Sequence, residues 1–309
     1  MTLTELRYIV AVGRERHFGR AAESCFVSQP TLSVAIRKVE EELGVVLFER
    51  GRGEVLVTAT GETIITRAEQ VLREVEGIRE AAAHHEGDLA MPLRLGAIFT
   101  VAPYLLPEII PLLRDSAPDM PLLIEENYTH VLSEHLRKGE LDVIVISLPF
   151  HEPGIETEPL YEEPFVILMP ASHPWTQQDT IPAAQMADEN ILLLGPGHCF
   201  RDQVVEACPE CVQPGGSNAL RGMVGSSLET IRHMVASGLG VTVLPCSSAG
   251  AEKYSRRLVA IRRFVDPEPQ RVVALAWRRG FTRPGAVDAV KQAIRHSGLT
   301  CVRMLGDAG

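Results

Sequence analysis

The stretch SQPTLSVAIRKVEEELG, residues 28–44, constrains the fold of this chain more than any other. Ser28 is suited to cap a helix, Pro30 falls in the first turn where a missing N–H costs nothing, and Gly44 suits the C-terminal cap. Leu32, Ile36, Val39 and Leu43 recur at helical spacing and form a buried stripe. The other face offers Gln29, Thr31, Ser33, Arg37 and Lys38, a set able to reach base edges and phosphates from a major groove. Two helices are expected ahead of it. Leu3, Leu6, Ile9 and Val10 are periodic, and a short second helix carries the small pair Ala21-Ala22. VVLFERGRGEVLVT, which follows, alternates around Gly51-Arg52-Gly53 as a hairpin with Arg50 and Arg52 near its tip. The pattern predicts an N-terminal winged helix-turn-helix over residues 1–58.

Phe18, Ala21, Ala22, Ser28, Gln29, Pro30, Leu32, Ser33, Ile36, Glu40, Leu43, Gly44, Leu47, Phe48, Arg50 and Thr58 together resemble the DNA-binding region of LysR-type transcriptional regulators. On that resemblance Ser28, Gln29, Pro30, Thr31, Ser33, Arg37, Arg50 and Arg52 are the expected DNA contacts. The next segment, residues 59–88, spaces Ile64, Ala68, Val71, Val75, Ile78 and Ala82 by fours and threes, with Ile65 and Leu72 in a second row. Such a stripe packs either on its own domain or on a second copy. The resemblance favours a linker helix through which two copies pair, and so promoter DNA read as two half-sites. His84-His85 beside Glu86 offers too few ligands for a metal and reads as a solvated helix end.

From Pro92 onward strands and helices alternate. LRLGAIF, PLLIEEN, DVIVIS, FVILMP, ILLL, VTVLP, LVAIRRF and VVALAWR are candidate strands, separated by helical stretches that include LLPEIIPLLRDSA, VLSEHLRKG, SSLETIRHMVASG and RPGAVDAVKQAIRHS. This is an α/β pattern. Ser226 and Glu229 have the spacing of a capping box. The resemblance implies a two-lobed regulatory domain like the periplasmic binding proteins. Subdomain I would comprise 92–163 and 268–300, and subdomain II 164–267, with chain crossings near 163 and 267.

Length and charge agree with this division. A chain of 309 residues with 45% hydrophobic content buries two or three cores. Residues 1–60 carry eight basic and eight acidic side chains, so the whole net charge of −10 resides beyond them. No signal peptide or apolar span of membrane length is present in the sequence, so a cytoplasmic protein with reduced thiols and no disulfide framework is expected. The chain contains no GxGxxG after a strand, GxxxxGK[ST], HExxH or GxSxG, and an enzyme is not expected.

The segment GPGHCFRDQVVEACPEC, residues 195–211, concentrates three of six cysteines. His198, Cys199, Cys208 and Cys211 number four, but only one paired-ligand spacing exists, which argues against zinc. CPEC lacks the βαβ start of a thioredoxin-like site. Buried unreactive thiols are the plain alternative. Cys199 follows His198 and precedes Arg201 and Asp202 at the expected start of a helix, where a cation and helix-end N–H groups favour thiolate. Such a thiolate is oxidised by peroxide to a sulfenic acid, which a second thiol captures. Across a helix, Cys199 and Cys208 stand about 13 Å apart, whereas a disulfide needs about 4.4–6.8 Å between Cα atoms, so bonding requires unwinding.

GHC-RDQ-----C, with HPW at 173–175, SLET-R-MVA-G-G at 227–240 and LLP at 105–107, is similar to the hydrogen-peroxide-sensing branch of the LysR-type family. The resemblance implies that Cys199 is peroxidatic and Cys208 resolving. It implies a peroxide pocket of Thr100, Thr129, His198, Arg201, Asp202 and Arg278. It further implies a homo-oligomer, a tetramer, that activates antioxidant genes with RNA polymerase and holds neither cofactor nor metal. A LysR-type regulator with a small organic effector between its lobes is the alternative, and a thiol peroxidase a distant third. Cys211 is a possible competing thiol; Cys25, Cys246 and Cys301 are expected to stand alone.

Overall fold

The structure is a computed structural model and describes residues 1–50, 55–83, 89–209, 224–249 and 258–306. It divides into two compact units, residues 1–86 and 87–309.

In the first unit α1 (Leu3–Glu15) starts from a capping box. The Thr2 hydroxyl accepts from Glu5 N–H at 3.3 Å and the Glu5 carboxylate accepts from Thr2 N–H at 2.6 Å. α2 (Phe18–Ser24) is capped by the His17 ring, and α3 (Gln29–Leu43) by Ser28, whose Oγ accepts from Thr31 N–H at 3.3 Å. α3 ends at Gly44 with φ +68, a left-handed cap that glycine adopts without strain. Leu32, Ile36 and Val39 are buried with Leu6, Ile9 and Val12 of α1 and with Ala21 and Ala22; Leu43 is partly exposed. β1 (Phe48–Arg50) and β2 (Val55–Val57) pair antiparallel as the hairpin arms. Glu40 ties that hairpin to α3 by accepting from Leu47 and Phe48 N–H at 2.7 and 3.2 Å. The hairpin tip with Arg52, and the His84-His85-Glu86 end of the linker, lie outside the described residues.

α4 (Ala59–Ala83) divides its apolar rows between two uses. Ile65 and Ala68 are buried, with Ile64 and Leu72 packed against the same core, whereas Val71 and Ile78 are exposed. Packing on its own domain accounts for the first rows but not for the last.

The second unit is built on β3 (Leu93–Ile98), β4 (Leu122–Asn127), β5 (Val143–Ser147), β6 (Ile155–Pro170), β7 (Thr180–Ile181), β8 (Leu193–Leu194), β9 (Val224–Gly225), β10 (Thr242–Pro245), β11 (Val259–Phe264), β12 (Gln270–Arg278) and β13 (Arg303–Met304). α5 (Ala102–Ser116), α6 (Thr129–Lys138), α7 (Cys199–Ala207), α8 (Leu228–Ala236), α9 (Cys246–Ala249) and α10 (Pro284–Arg295) connect them. The main sheet runs β4-β3-β5-β12-β6-β11-β7, with β10 and β13 also on β6; β8 and β9 pair separately. β3 is parallel to β4 and β5, as crossover helices require.

β6 carries the chain between two cores. Its first part pairs with β12 and its last with β10 and β11. One core gathers Leu95, Val143, Val145 and Leu275 with Leu105, Ile109, Val290 and Ile294 of α5 and α10. The other gathers Phe165, Ile167 and Leu244 with Phe200, Val204, Ile231 and Val235 of α7 and α8. The cap of α8 is Ser227, not Ser226: Ser227 Oγ accepts from Thr230 N–H at 3.2 Å. With Ser227 as the cap, the third helical position is Thr230 and Glu229 falls one short of a capping box; its carboxylate accepts from the Tyr104 hydroxyl at 3.2 Å.

One expectation fails outright. Cys246 and Cys301 do not stand alone but form a disulfide, with Cα atoms 6.1 Å apart across 55 residues. Register is the reason: Pro245 pairs with Phe165 and Arg303 with Glu162, so both cysteines meet the same short stretch of β6.

Candidate functional site

Three chain turns converge at the carboxyl ends of β3 and β4, where ligands commonly bind in α/β sheets. They enclose a small cavity lined by Ile98, Phe99 and Thr100, by Asn127, Tyr128 and Thr129, and by Gly197, His198 and Cys199. It admits the centres of water-sized molecules over about 10 Å³, room for about one such molecule. Gly197 has φ +96, with its α-carbon facing the Tyr128 ring, and this left-handed turn delivers His198 and Cys199 to the cavity.

Cys199 is the first residue of α7 and half-buried, while Cys208 is its fully buried C-terminal cap; neither is in a disulfide. Nine helical positions place them about 13 Å apart.

The expected cations contribute less. His198 is buried, packed edge-on against Tyr128 at 4.8 Å and Phe99 at 5.9 Å between ring centroids. Burial holds its imidazole below the ordinary value, against a smaller opposing effect of a hydrogen bond to the Ser226 backbone. His198 is therefore a neutral wall of the cavity. Arg201 donates to the Leu194 carbonyl at 2.7 Å, and neither it nor Asp202, in the first turn of α7, lines the cavity. Arg278 is not at this site. Its guanidinium donates to the Leu136 and Leu141 carbonyls at 2.6 and 2.5 Å, below the C-terminal end of α6.

The arginine that reaches the cavity wall is Arg271, seven residues earlier on β12. Successive strand residues alternate faces, so an odd separation puts the two on opposite sides of the sheet. Arg271 donates through Nη1 to Thr100 Oγ1 at 2.9 Å and through Nη2 to the Thr100 carbonyl at 3.0 Å. Its Nε meets Glu163 at 2.7 Å in an ion pair whose side chains are fully buried, and its guanidinium lies 5.4 Å from the Phe200 ring centroid. Because Thr100 Oγ1 accepts from Arg271, the Thr100 proton remains for donation into the cavity. Thr129 Oγ1 is buried without a hydrogen-bond partner among the protein's own groups. Gln203 of α7 donates to Ser147 Oγ at 2.8 Å and to the Leu148 carbonyl at 3.2 Å, which anchors the helix to the end of β5. Sequence reading missed Arg271, Glu163 and Gln203; an arginine at the start of the apolar strand β12 was the available signal for the first.

In the first unit, Ser28, Gln29, Pro30, Thr31 and Arg37 are exposed on α3, and Ser33 is half-buried. Ser28 and Thr31 hydroxyls also bond to one another at 2.8 Å. Lys38 donates to Glu5 at 3.0 Å, and Arg50 ends β1.

Fold and site define a regulator with a DNA-reading head and a ligand-sensing body, and comparison with known proteins agrees. Residues 3–62 match the bacterial regulatory helix-turn-helix protein, lysR family, and residues 86–298 match the LysR substrate binding domain. The chain belongs to the LysR family. Within it, the chain is 39% identical over 295 residues to the hydrogen peroxide-inducible genes activator of Escherichia coli O6:H1, covering 96% of this chain and 95% of that one. Full-length OxyR from Pseudomonas aeruginosa, a cysteine-to-aspartate variant, is 50% identical with a TM-score of 0.80, covering 100% of this chain and 99% of that one. An H2O2-bound cysteine mutant of Corynebacterium glutamicum OxyR is 32% identical with a TM-score of 0.64, covering 95% and 91%.

Proposed function

We propose that this chain is a peroxide-responsive, DNA-binding transcription regulator in which hydrogen peroxide oxidises Cys199. The carrying observation is a cavity of about one small molecule with the Cys199 thiol at a helix start and two threonine hydroxyls around it, one of them unpartnered. Similarity to an H2O2-bound OxyR and to a hydrogen peroxide-inducible genes activator supports the same reading.

Thr100 and Thr129 hold the peroxide. The Cys199 thiolate attacks one oxygen, the O–O bond breaks, and the departing hydroxide is protonated to water, leaving a sulfenic acid. The Cys208 thiol then attacks that sulfur and a second water departs with its proton. Two electrons pass from the two sulfurs to one peroxide. Bond formation unwinds α7, since Cα atoms about 13 Å apart must close to about 4.4–6.8 Å. Unwinding breaks the Gln203 bonds to Ser147 and Leu148 and withdraws Phe200 from its packing on Phe165 and Arg271. A local oxidation thus remodels a surface of the regulatory unit.

Peroxide is consumed stoichiometrically as a signal, not turned over by an enzyme. α3 enters promoter DNA with Gln29, Thr31, Ser33 and Arg37, backed by Ser28 and Pro30 at its start and by Arg50 and Arg52 of the wing. Pairing through α4 presents two such helices to two half-sites, and a tetramer acts with RNA polymerase on antioxidant genes. Among the described residues no helix is long and apolar enough to cross a membrane; the cytoplasm is the proposed location. The test is Cys199→Ser in the full chain: DNA binding persists and the response of that binding to peroxide disappears. A wild-type response in that variant overturns the reading.

A further inference from the structure

The Cys246–Cys301 bond lies outside the pair that the peroxide reading uses. Cys246 opens α9 and is buried, whereas Cys301 is exposed. Their strand neighbours pair with Phe165 and Glu162 of β6, so the bond brackets Glu163. From there a chain of hydrogen bonds leads to the cavity. Ser247 N–H, next to Cys246, donates to Glu163 Oε1 at 2.9 Å. Glu163 Oε2 accepts from Arg271 at 2.7 Å, and Arg271 donates to Thr100 at 2.9 Å. Val302, next to Cys301, packs against both cores of the regulatory unit.

We propose that Cys246 and Cys301 form a second thiol–disulfide site, closed by peroxide and opened by a dithiol reductant, whose closed state holds Glu163 and Arg271 in place behind Thr100. Exposed disulfides belong to the labile, regulatory class, and Cys301 is the exposed residue of this pair. In closing, the Cys301 thiolate attacks a peroxide oxygen, the O–O bond breaks, and the hydroxide released is protonated to water. Cys246 attacks the resulting sulfenic sulfur, and the second water leaves with the Cys246 proton. In opening, a thiolate of the dithiol attacks the Cys301 sulfur and Cys246 leaves and takes up a proton. The second thiol of the reductant then resolves the mixed disulfide and frees Cys301 as thiolate. An open site loosens β13 and the start of α9, and with them the Ser247 bond to Glu163, so Cys199 oxidation slows. This coupling, though not the bond itself, rests on the peroxide reading of Cys199.

The test uses the full chain in two arms. In the first, the Cys199→Ser variant is equilibrated across graded ratios of reduced to oxidised glutathione, free thiols are alkylated, and peptides are mapped by mass. Cys246 and Cys301 pass together from bridged to alkylated within that range while the circular dichroism of the folded chain is retained. A bond that resists every ratio until the chain unfolds, or cysteines that never bridge, overturns the proposal. In the second, a peroxide pulse is applied with Cys199 intact. Oxidation of Cys199 itself, read by quenched alkylation and mass, is several-fold slower both in Cys301→Ser and in wild-type protein poised with the pair reduced. An unchanged rate in both overturns the coupling. Cys199 that reacts in no form refutes the peroxide reading instead, and the first arm still reports on the second site.

Discussion

Arg271 grips Thr100 twice, at the hydroxyl and at the carbonyl, from inside a buried ion pair with Glu163. A guanidinium presents its donors in a fixed fork, which an ammonium does not. Arg271→Lys is therefore expected to keep the charge and lose one of the two Thr100 bonds, slowing Cys199 oxidation about 5- to 10-fold for about 1 kcal/mol of hydrogen bonding. Arg271→Ala strands Glu163 without its cation and is expected to destabilise the regulatory unit by about 3–5 kcal/mol. Stopped-flow thiol kinetics and urea unfolding separate the two effects.

Thr129 Oγ1 has no hydrogen-bond partner among the protein's own groups, so removing it is expected to cost little stability. Thr129→Val is nearly isosteric and is expected to leave the urea midpoint unchanged or raised, while Cys199 oxidation falls about 5- to 10-fold for one lost bond to peroxide. A parallel loss of stability and rate would mean that the hydroxyl serves packing.

His198 makes stability pH-dependent. Its pKa is depressed below 6.5 by burial, so in the window below 6.5 the unfolded chain binds a proton that the folded one does not. That contribution is present in full above 6.5 and is lost as pH falls through the folded value. His198→Asn is expected to flatten the acid limb relative to wild type in urea unfolding from neutral pH downward; parallel limbs contradict this assignment.

Val71 and Ile78 are exposed apolar residues on a helix whose Ile64, Ile65, Ala68 and Leu72 already pack on their own domain. Val71→Glu with Ile78→Glu is expected to shift sedimentation from dimer or tetramer to monomer with helix content preserved. An unaltered distribution would place the subunit contact elsewhere.

Much of this was legible in the sequence, for reasons that differ by element. Ser28, Pro30 and Gly44 delimit α3 because caps are local chemistry. The first part of β6 was not legible: Pro159, Pro164 and a run of glutamates mask a strand that β12 pairs along its length. Arg278 is the arginine that the resemblance implies, whereas strand phase on β12 turns Arg271 to the cavity wall. The Cys246–Cys301 bond escaped because its partners are 55 residues apart and meet only through β6 register. Cys211, the competing thiol of the sequence reading, lies outside the described residues.

Disulfide mapping during peroxide titration tests the central claim most directly. Full-length protein receives graded peroxide from below one equivalent upward, is alkylated and digested, and its cross-linked peptides are identified by mass. The account predicts that substoichiometric peroxide produces a Cys199–Cys208 bond in proportion to peroxide added, with DNA binding changing in step. Cys199 still alkylatable at equivalent peroxide, while DNA binding answers to a small organic metabolite, would contradict it.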